Sequence, residues 1–449
     1  MRDLVLAVFI FGSLPFILWR PTIGVFLWVW VSIMAPHRLT FGFAYDFAFA
    51  QLIAIATLIG LAFSTQPKRL PVTPVTMVLF LFGLWMSVTT YFALDTAEAL
   101  PMWERVMKIQ FMLFVSLYLL HSKQHVNVLI WVVALSVGFF GIKGGLFTWR
   151  TEGESRVWGP PGSFIGDNNS LALAIVMAIP ILHFLFLQAS KRWLRWGLLA
   201  ATLLCGFSVL GTYSRGAFLA VAAMTGFLWW KSHTKTITAL SLIVLIPIAI
   251  GFMPDKWVER MWSIENYEQD TSAMGRINAW KMAINLANDR PLVGGGFEIY
   301  NEKVFNRYAP DPDDVHAAHS IYFQVLGEHG YVGLALFLLL WFLVWRDASW
   351  IIGHSRGDGE LRWARDLARM VQVSLVGYAV GGMFQNQAYF DLPYELLVAI
   401  VLTRLLVEKE LKDLEQKEMA PMIPEGSQAS GGEQGAIAPT AAGPQVYRR

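Results

Sequence analysis

Apolar stretches close to the length needed to cross a bilayer recur along this 449-residue chain, and they constrain its fold more than any other feature. They fall near residues 4–18, 22–35, 47–63, 75–93, 106–120, 127–149, 169–189, 196–213, 216–230, 236–253, 320–345, 370–388 and 392–407. A spanning helix needs roughly 20 residues. In hydrocarbon every backbone amide must be satisfied within its own element, and the lack of strict apolar–polar alternation argues against a barrel. The chain therefore reads as an all-α polytopic membrane bundle with about 12 transmembrane helices, or about 13 if the Arg20–Pro21 break separates two helices. Composition agrees, with 55% hydrophobic and 15% charged residues and a mean hydropathy of +0.47. Nineteen Trp and 31 Phe suit a bilayer and its interfaces. The first run is followed by Trp19, Arg20 and Pro21 with no small-residue cleavage site, so it is expected to be retained rather than removed as a signal peptide.

Charge excludes other classes and sets an orientation. A net charge of +2 is too small to imply a nucleic-acid partner. The single cysteine, Cys205, can form no intrachain disulfide and no cysteine-based metal site. Basic residues concentrate in alternate connections: Lys68 with Arg69, Lys123, Lys191 with Arg192 and Arg195, Lys231 with Lys235, and Arg346 through Arg369. Those connections are expected to be cytoplasmic. The loops 37–46, 95–105, 150–168, 213–216 and 254–319 then face outward, and so should the chemistry. Residues 1–407 form the expected bundle, including a catalytic loop at 254–319. Residues 408–449, mixed in charge and then rich in Gly, Ala, Pro, Ser and Gln, are expected to be a disordered cytoplasmic tail. In the long loop, Ile277, Trp280, Ala283, Ile284 and Ala287 recur at helical spacing and give one apolar face that can lie on the membrane, with Trp257, Met261 and Trp262 as an interfacial anchor before it.

The long loop ends in His316, Ala317, Ala318, His319 and Ser320. Nine residues after Ser320 come Gly330 and, three further on, Gly333. This spacing resembles the signature of O-antigen ligases and related polymerases. The resemblance extends to Arg156 through Gly159 with Gly166 through Asn169, Tyr213 through Gly216, Gly275–Arg276 with Trp280, and Pro291 through Gly296, covering roughly residues 150–345. The opening stretch from Met34 to Gly42, with Tyr45 and Asp46, is similar to the subgroup found beside exosortases. The resemblance implies a type C glycosyltransferase-like fold in a bacterial inner membrane, working on its periplasmic side. It also implies transfer of a glycan from undecaprenyl diphosphate to a hydroxyl of lipid A-core, inverting, with no metal or other cofactor.

Such a transfer needs a bound diphosphate, a positioned hydroxyl and a destination for its proton. Arg215, at the outer corner between two apolar runs, can fork two phosphate oxygens; alone it would more often be a snorkelling interface residue. Arg276 opens the helical part of the loop and can close on the same diphosphate. Arg156 is a third candidate contact, otherwise a solvated loop charge. His319, neutral near pH 7 and set where a helix re-enters the membrane, is the candidate catalytic base, against the alternative of a helix cap. His316 and His329 are weaker candidates, and Gly327, Gly330 and Gly333 read as residues that let helices approach closely. Asn168, Asn169, Gln385, Asn386 and Gln387 can bond sugar hydroxyls or merely solvate the interface. His183 and Lys143 lie within apolar runs, where ionisable groups are costly. Asp311, Asp313 and Asp314 can hold a divalent cation or form a solvated loop, and the latter is preferred. An O-antigen polymerase or a protein O-glycosylation ligase would share the donor and the histidine. A glycolipid transporter or flippase would place its charges nearer the bilayer midplane, and a structural scaffold would not require His319.

Overall fold

A computed structural model describes residues 1–66, 68–231, 247, 250–262, 271–355 and 359–419, and among them there is no strand. The expected span at 236–253 falls mostly outside the described residues, as does the tail beyond residue 419. The helices are α1 (Arg2–Trp19), α2 (Pro21–Met34), α3 (Phe49–Phe63), α4 (Pro74–Tyr91), α5 (Thr96–Leu119), α6 (Lys123–Arg150), α7 (Asn168–Gln188), α8 (Arg192–Gly211) and α9 (Arg215–Lys231). They continue with α10 (Asp255–Trp262), α11 (Thr271–Asp289), α12 (Glu302–Tyr308), α13 (Ile321–His354), α14 (Arg362–Gly381) and α15 (Asp391–Met419). Among the described residues seven helices are long and apolar enough to cross a membrane: α1, α4, α6, α7, α8, α13, and α14 with the turn that follows it. The apolar helices α2 and α3 are shorter. The chain is a polytopic helical membrane protein.

Local chemistry sets the helix ends. Arg20 is extended and Pro21 stands at the first position of α2, where its missing N–H costs nothing, so the break separates two helices. Thr73 and Thr76 form a reciprocal capping box at the start of α4. Asp95, Ser122 and Asp167 cap α5, α6 and α7 through their side-chain oxygens. Residues 1–408 form one compact unit, within which α7 is the most enclosed helix: Leu171 through Ala178 are all buried, and α6, α8, α9 and α14 pack around it. In the second unit, residues 409–449, the mixed-charge stretch is helical as far as Met419.

Contacts between connections gather the functional loops at one end of the bundle. Asp3 accepts from the amides of Gly42 and Ala44, which puts the start of α1 beside the loop after α2. Leu94 N–H donates to Gly295, Val157 N–H to Gly211, and the Asn168 amide to Thr212. At the other end, Lys123 lies over the Trp363 ring, and buried Asp347 of α13 pairs with Arg404 of α15.

The long loop is folded onto protein, which corrects the expectation of membrane-lying surfaces. Ala279, Met282 and Leu286 of α11 are buried with Ile299 and with Val304, Phe305 and Tyr308 of α12. The buried face sits about one residue round from the one the spacing indicated, because α11 also packs on α13. Trp257 is no lipid anchor either. It is buried with Tyr213 and Met253, and its Nε1 donates to the Leu210 carbonyl at 3.0 Å.

Candidate active site

His319 occupies the last turn before α13 in a left-handed conformation, φ 44°, which histidine tolerates better than most residues. The turn is held from both sides. The Trp280 Nε1 of α11 donates to the Ala318 carbonyl at 2.7 Å while its ring stacks on Phe323, and the Ser320 amide donates to Asn386 Oδ1 at 3.3 Å. The His319 Nδ1 is shielded from solvent and has no hydrogen-bond partner among the described residues. Burial pushes the imidazole pKa down to about 4, assisted by the Arg276 guanidinium and His316 and opposed by Asp167. The ring is thus neutral across the physiological range.

Arg276 reaches this turn because Gly275 precedes it. A Cβ on Gly275 would lie 2.8 Å from the His316 Nδ1, so glycine lets the N-terminal part of α11 rest on that ring without displacing it. His316 is itself paired with Asp314 at 2.7 Å. The backbone carbonyls of Asp311 and Asp314 accept from the Asn278 amide, which folds the acidic loop onto α11.

Arg215 is the first residue of α9, where unsatisfied backbone N–H groups and the helix dipole favour an anion. Ser214 supplies an oxygen to the Ala217 amide. The corner before it is braced: Tyr213, φ 58°, donates its hydroxyl to the Gly153 carbonyl at 2.6 Å and accepts from Arg260 Nε at 3.1 Å. A chain of contacts leads from this corner to His319. Asn168 bonds Thr212 at 2.7 Å, Ser170 bonds Gln385 at 3.2 Å, Gly216 abuts Phe384, and Asn386 bonds Ser320. Arg156 lies on the far side of the corner, its guanidinium 5.5 Å from the centre of the Tyr213 ring.

Other residues singled out from the sequence go elsewhere. His329 is buried, with its Nδ1 2.7 Å from Thr89 Oγ1 and the rings of Phe82, Phe297 and Tyr389 around it. Gln387 donates to the Phe164 carbonyl, and exposed His183 stacks on Phe186. The glycines of α13 do more than let helices approach: Gly330, φ 68°, breaks the helix. Gly295 N–H and Gly296 N–H donate to the carbonyls of Gly327 and Glu328, and Tyr331 N–H donates to Pro291. The Pro291–Gly296 motif is therefore a strap docked on this break. Sequence reasoning missed Asp167, whose position before an apolar run was the available signal, and the buried Glu328, which accepts from the Tyr389 hydroxyl at 2.5 Å and has no local signal.

Residues 200–338 match the family model described as O-Antigen ligase, and residues 1–191 match one described as a family of unknown function (DUF5935). No curated protein matches the chain. The first match contains Arg215, Arg276, His319 and the Gly330–Gly333 pair, while Arg156 lies in the second. Over residues 200–338 the chain is similar to the O-antigen ligase family.

Proposed function

We propose that the chain is a polyprenyl-diphosphate-linked oligosaccharide ligase of the bacterial inner membrane, transferring a glycan from undecaprenyl diphosphate to a sugar hydroxyl of lipid A-core on the periplasmic side. The observation that carries this reading is the pairing of His319, neutral and with an Nδ1 that has no partner among the described residues, with Arg276 beside it. In the transfer the acceptor oxygen attacks the anomeric carbon, the carbon–oxygen bond to the diphosphate breaks, and the acceptor proton passes to the imidazole. Arg276 and Arg215 supply positive charge to the departing diphosphate, with Arg156 as a third contact; this replaces what a metal would otherwise do. Attack opposite the leaving group inverts the anomeric centre. A base of this type contributes roughly a hundredfold to ten-thousandfold, and phosphate binding and orientation supply the remainder.

The test is transfer by purified protein in EDTA, with polyprenyl diphosphate-linked O-antigen and lipid A-core, followed by glycolipid mobility. Wild type is expected to transfer, and His319→Ala and Arg215→Ala, folded normally, to lose transfer. Transfer indifferent to His319 would overturn the assignment of the base. A panel that adds a glycan acceptor and a protein acceptor separates the polymerase and protein-glycosylation alternatives.

A further inference from the structure

The start of α1, the 38–46 loop, α6 and the 156–161 loop enclose a cavity of about 870 Å³, the size of a small-molecule site. Of the residues assigned above only Arg156 reaches it. Four cations line it, Arg2, Arg38, Lys143 and Arg156, against one carboxylate, Asp46. That carboxylate is already taken by Arg38 at 2.9 Å. Lys143 lies seven residues before the end of α6, or about 10 Å below it. It forms no ion pair or hydrogen bond among the described residues. An ammonium in a spanning helix is costly, and here its flexible stem can lift it into a polar chamber rather than into lipid. The mouth carries planar rings: Trp158 is 60% exposed, Phe41 is 87% exposed, and Tyr45 stands beside them. All of these residues belong to the 1–191 segment, outside the ligase match.

We propose that this cavity binds an acidic saccharide, its anionic group held between Lys143 and Arg156 and a sugar face stacked on the aromatic rim. Excess positive charge selects an anion, and exposed rings offer flat apolar area to the C–H face of a pyranose, which a lipid headgroup alone does not need. The choice of a saccharide rests on the glycan-transfer reading, whereas the anion site rests on the cavity itself. Arg156 links the two regions, because the Tyr213 ring beneath it opens the corner that presents Arg215.

The experiment measures binding of trigalacturonic acid and of neutral maltotriose to the full chain in zwitterionic nanodiscs, by calorimetry at two salt concentrations. The acidic trisaccharide is expected to bind about tenfold or more tighter than the neutral one. Lys143→Met and Arg156→Gln are each expected to reduce that preference about tenfold, while His319→Ala leaves it intact. Equal binding of both sugars, or a preference indifferent to Lys143 and Arg156, overturns the proposal. Lys143-dependent retention of phosphatidylglycerol without trigalacturonate binding assigns the cavity to a lipid headgroup and also overturns it. Lys143→Gln serves if the Met variant does not fold. Because binding needs no turnover, transfer without acidic-sugar binding sinks this proposal alone, and binding without transfer sinks the ligase reading alone.

Discussion

His319 carries a pH signature that an ordinary histidine would not. Its pKa in the folded chain is about 4, below the usual 6.5, so the neutral ring is the form that folding favours. Between those values the unfolded state binds more protons than the folded one. Stability therefore rises with pH through that window, and the contribution is lost as pH falls from 6.5 towards 4. A rate that depends on the neutral imidazole is accordingly expected to hold down to about pH 5 and to fall only near 4. Measuring transfer against pH, with detergent-solubilised protein checked for folding at each point, tests this; a limb centred near 6.5 would mean that the ring is not shielded. The type and spacing of His319, Arg215 and Arg276 were readable in the chain. The reason Arg276 can approach was not, since it depends on the His316 ring lying against Gly275, a contact between residues 41 apart.

Single elements have their own tests. Gly330 breaks α13 at φ 68°, and a Cβ there would come within 2.6 Å of the carbonyl oxygens of Leu292 and Pro291. Gly330→Ala is expected to destabilise by about 1–3 kcal/mol or more and to loosen the strap, giving a lower thermal midpoint in detergent. An unchanged midpoint would show that the strap is not anchored there. At the opposite end, Asp347 is 1% exposed and bonded to Arg404, which also reaches Glu408 at 2.9 Å. Arg404→Ala leaves the buried carboxylate with only Arg346, 3.4 Å away, and is expected to cost about 1–3 kcal/mol, less than the loss of a sole partner would. The double variant with Asp347→Asn should recover part of the loss, and failure to do so would locate the cost elsewhere. The periodicity in α11 located a helix correctly but not what its apolar face meets. That face packs on α12 and α13, and no local pattern distinguishes a protein neighbour from lipid.

At the scale of the whole molecule, one end of the bundle carries the loops at 37–46, 150–168 and 211–216 with residues 254–262 and 271–319, and the other carries Lys123 and the Asp347–Arg404 pair. With the basic connections cytoplasmic, Ser163→Cys is expected to react with a membrane-impermeant maleimide added outside spheroplasts, and Lys191→Cys only after permeabilisation. The native Cys205 is fully buried against Gly141 and should stay silent. The reverse pattern would invert the orientation. That the chain is a helical membrane protein follows from its residues alone, because hydrocarbon length and backbone satisfaction leave a long apolar run few alternatives. The residues alone also show the order of the family's motifs, which lie in contiguous stretches. Which motifs meet is set by helix packing. The Pro291–Gly296 strap rests on the Gly330 break, Asp167 lies near enough for its charge to act on His319, and Arg2, Arg38, Lys143 and Arg156 share one chamber. These are distances across helices far apart in the chain, fixed by packing, and no local spacing encodes them.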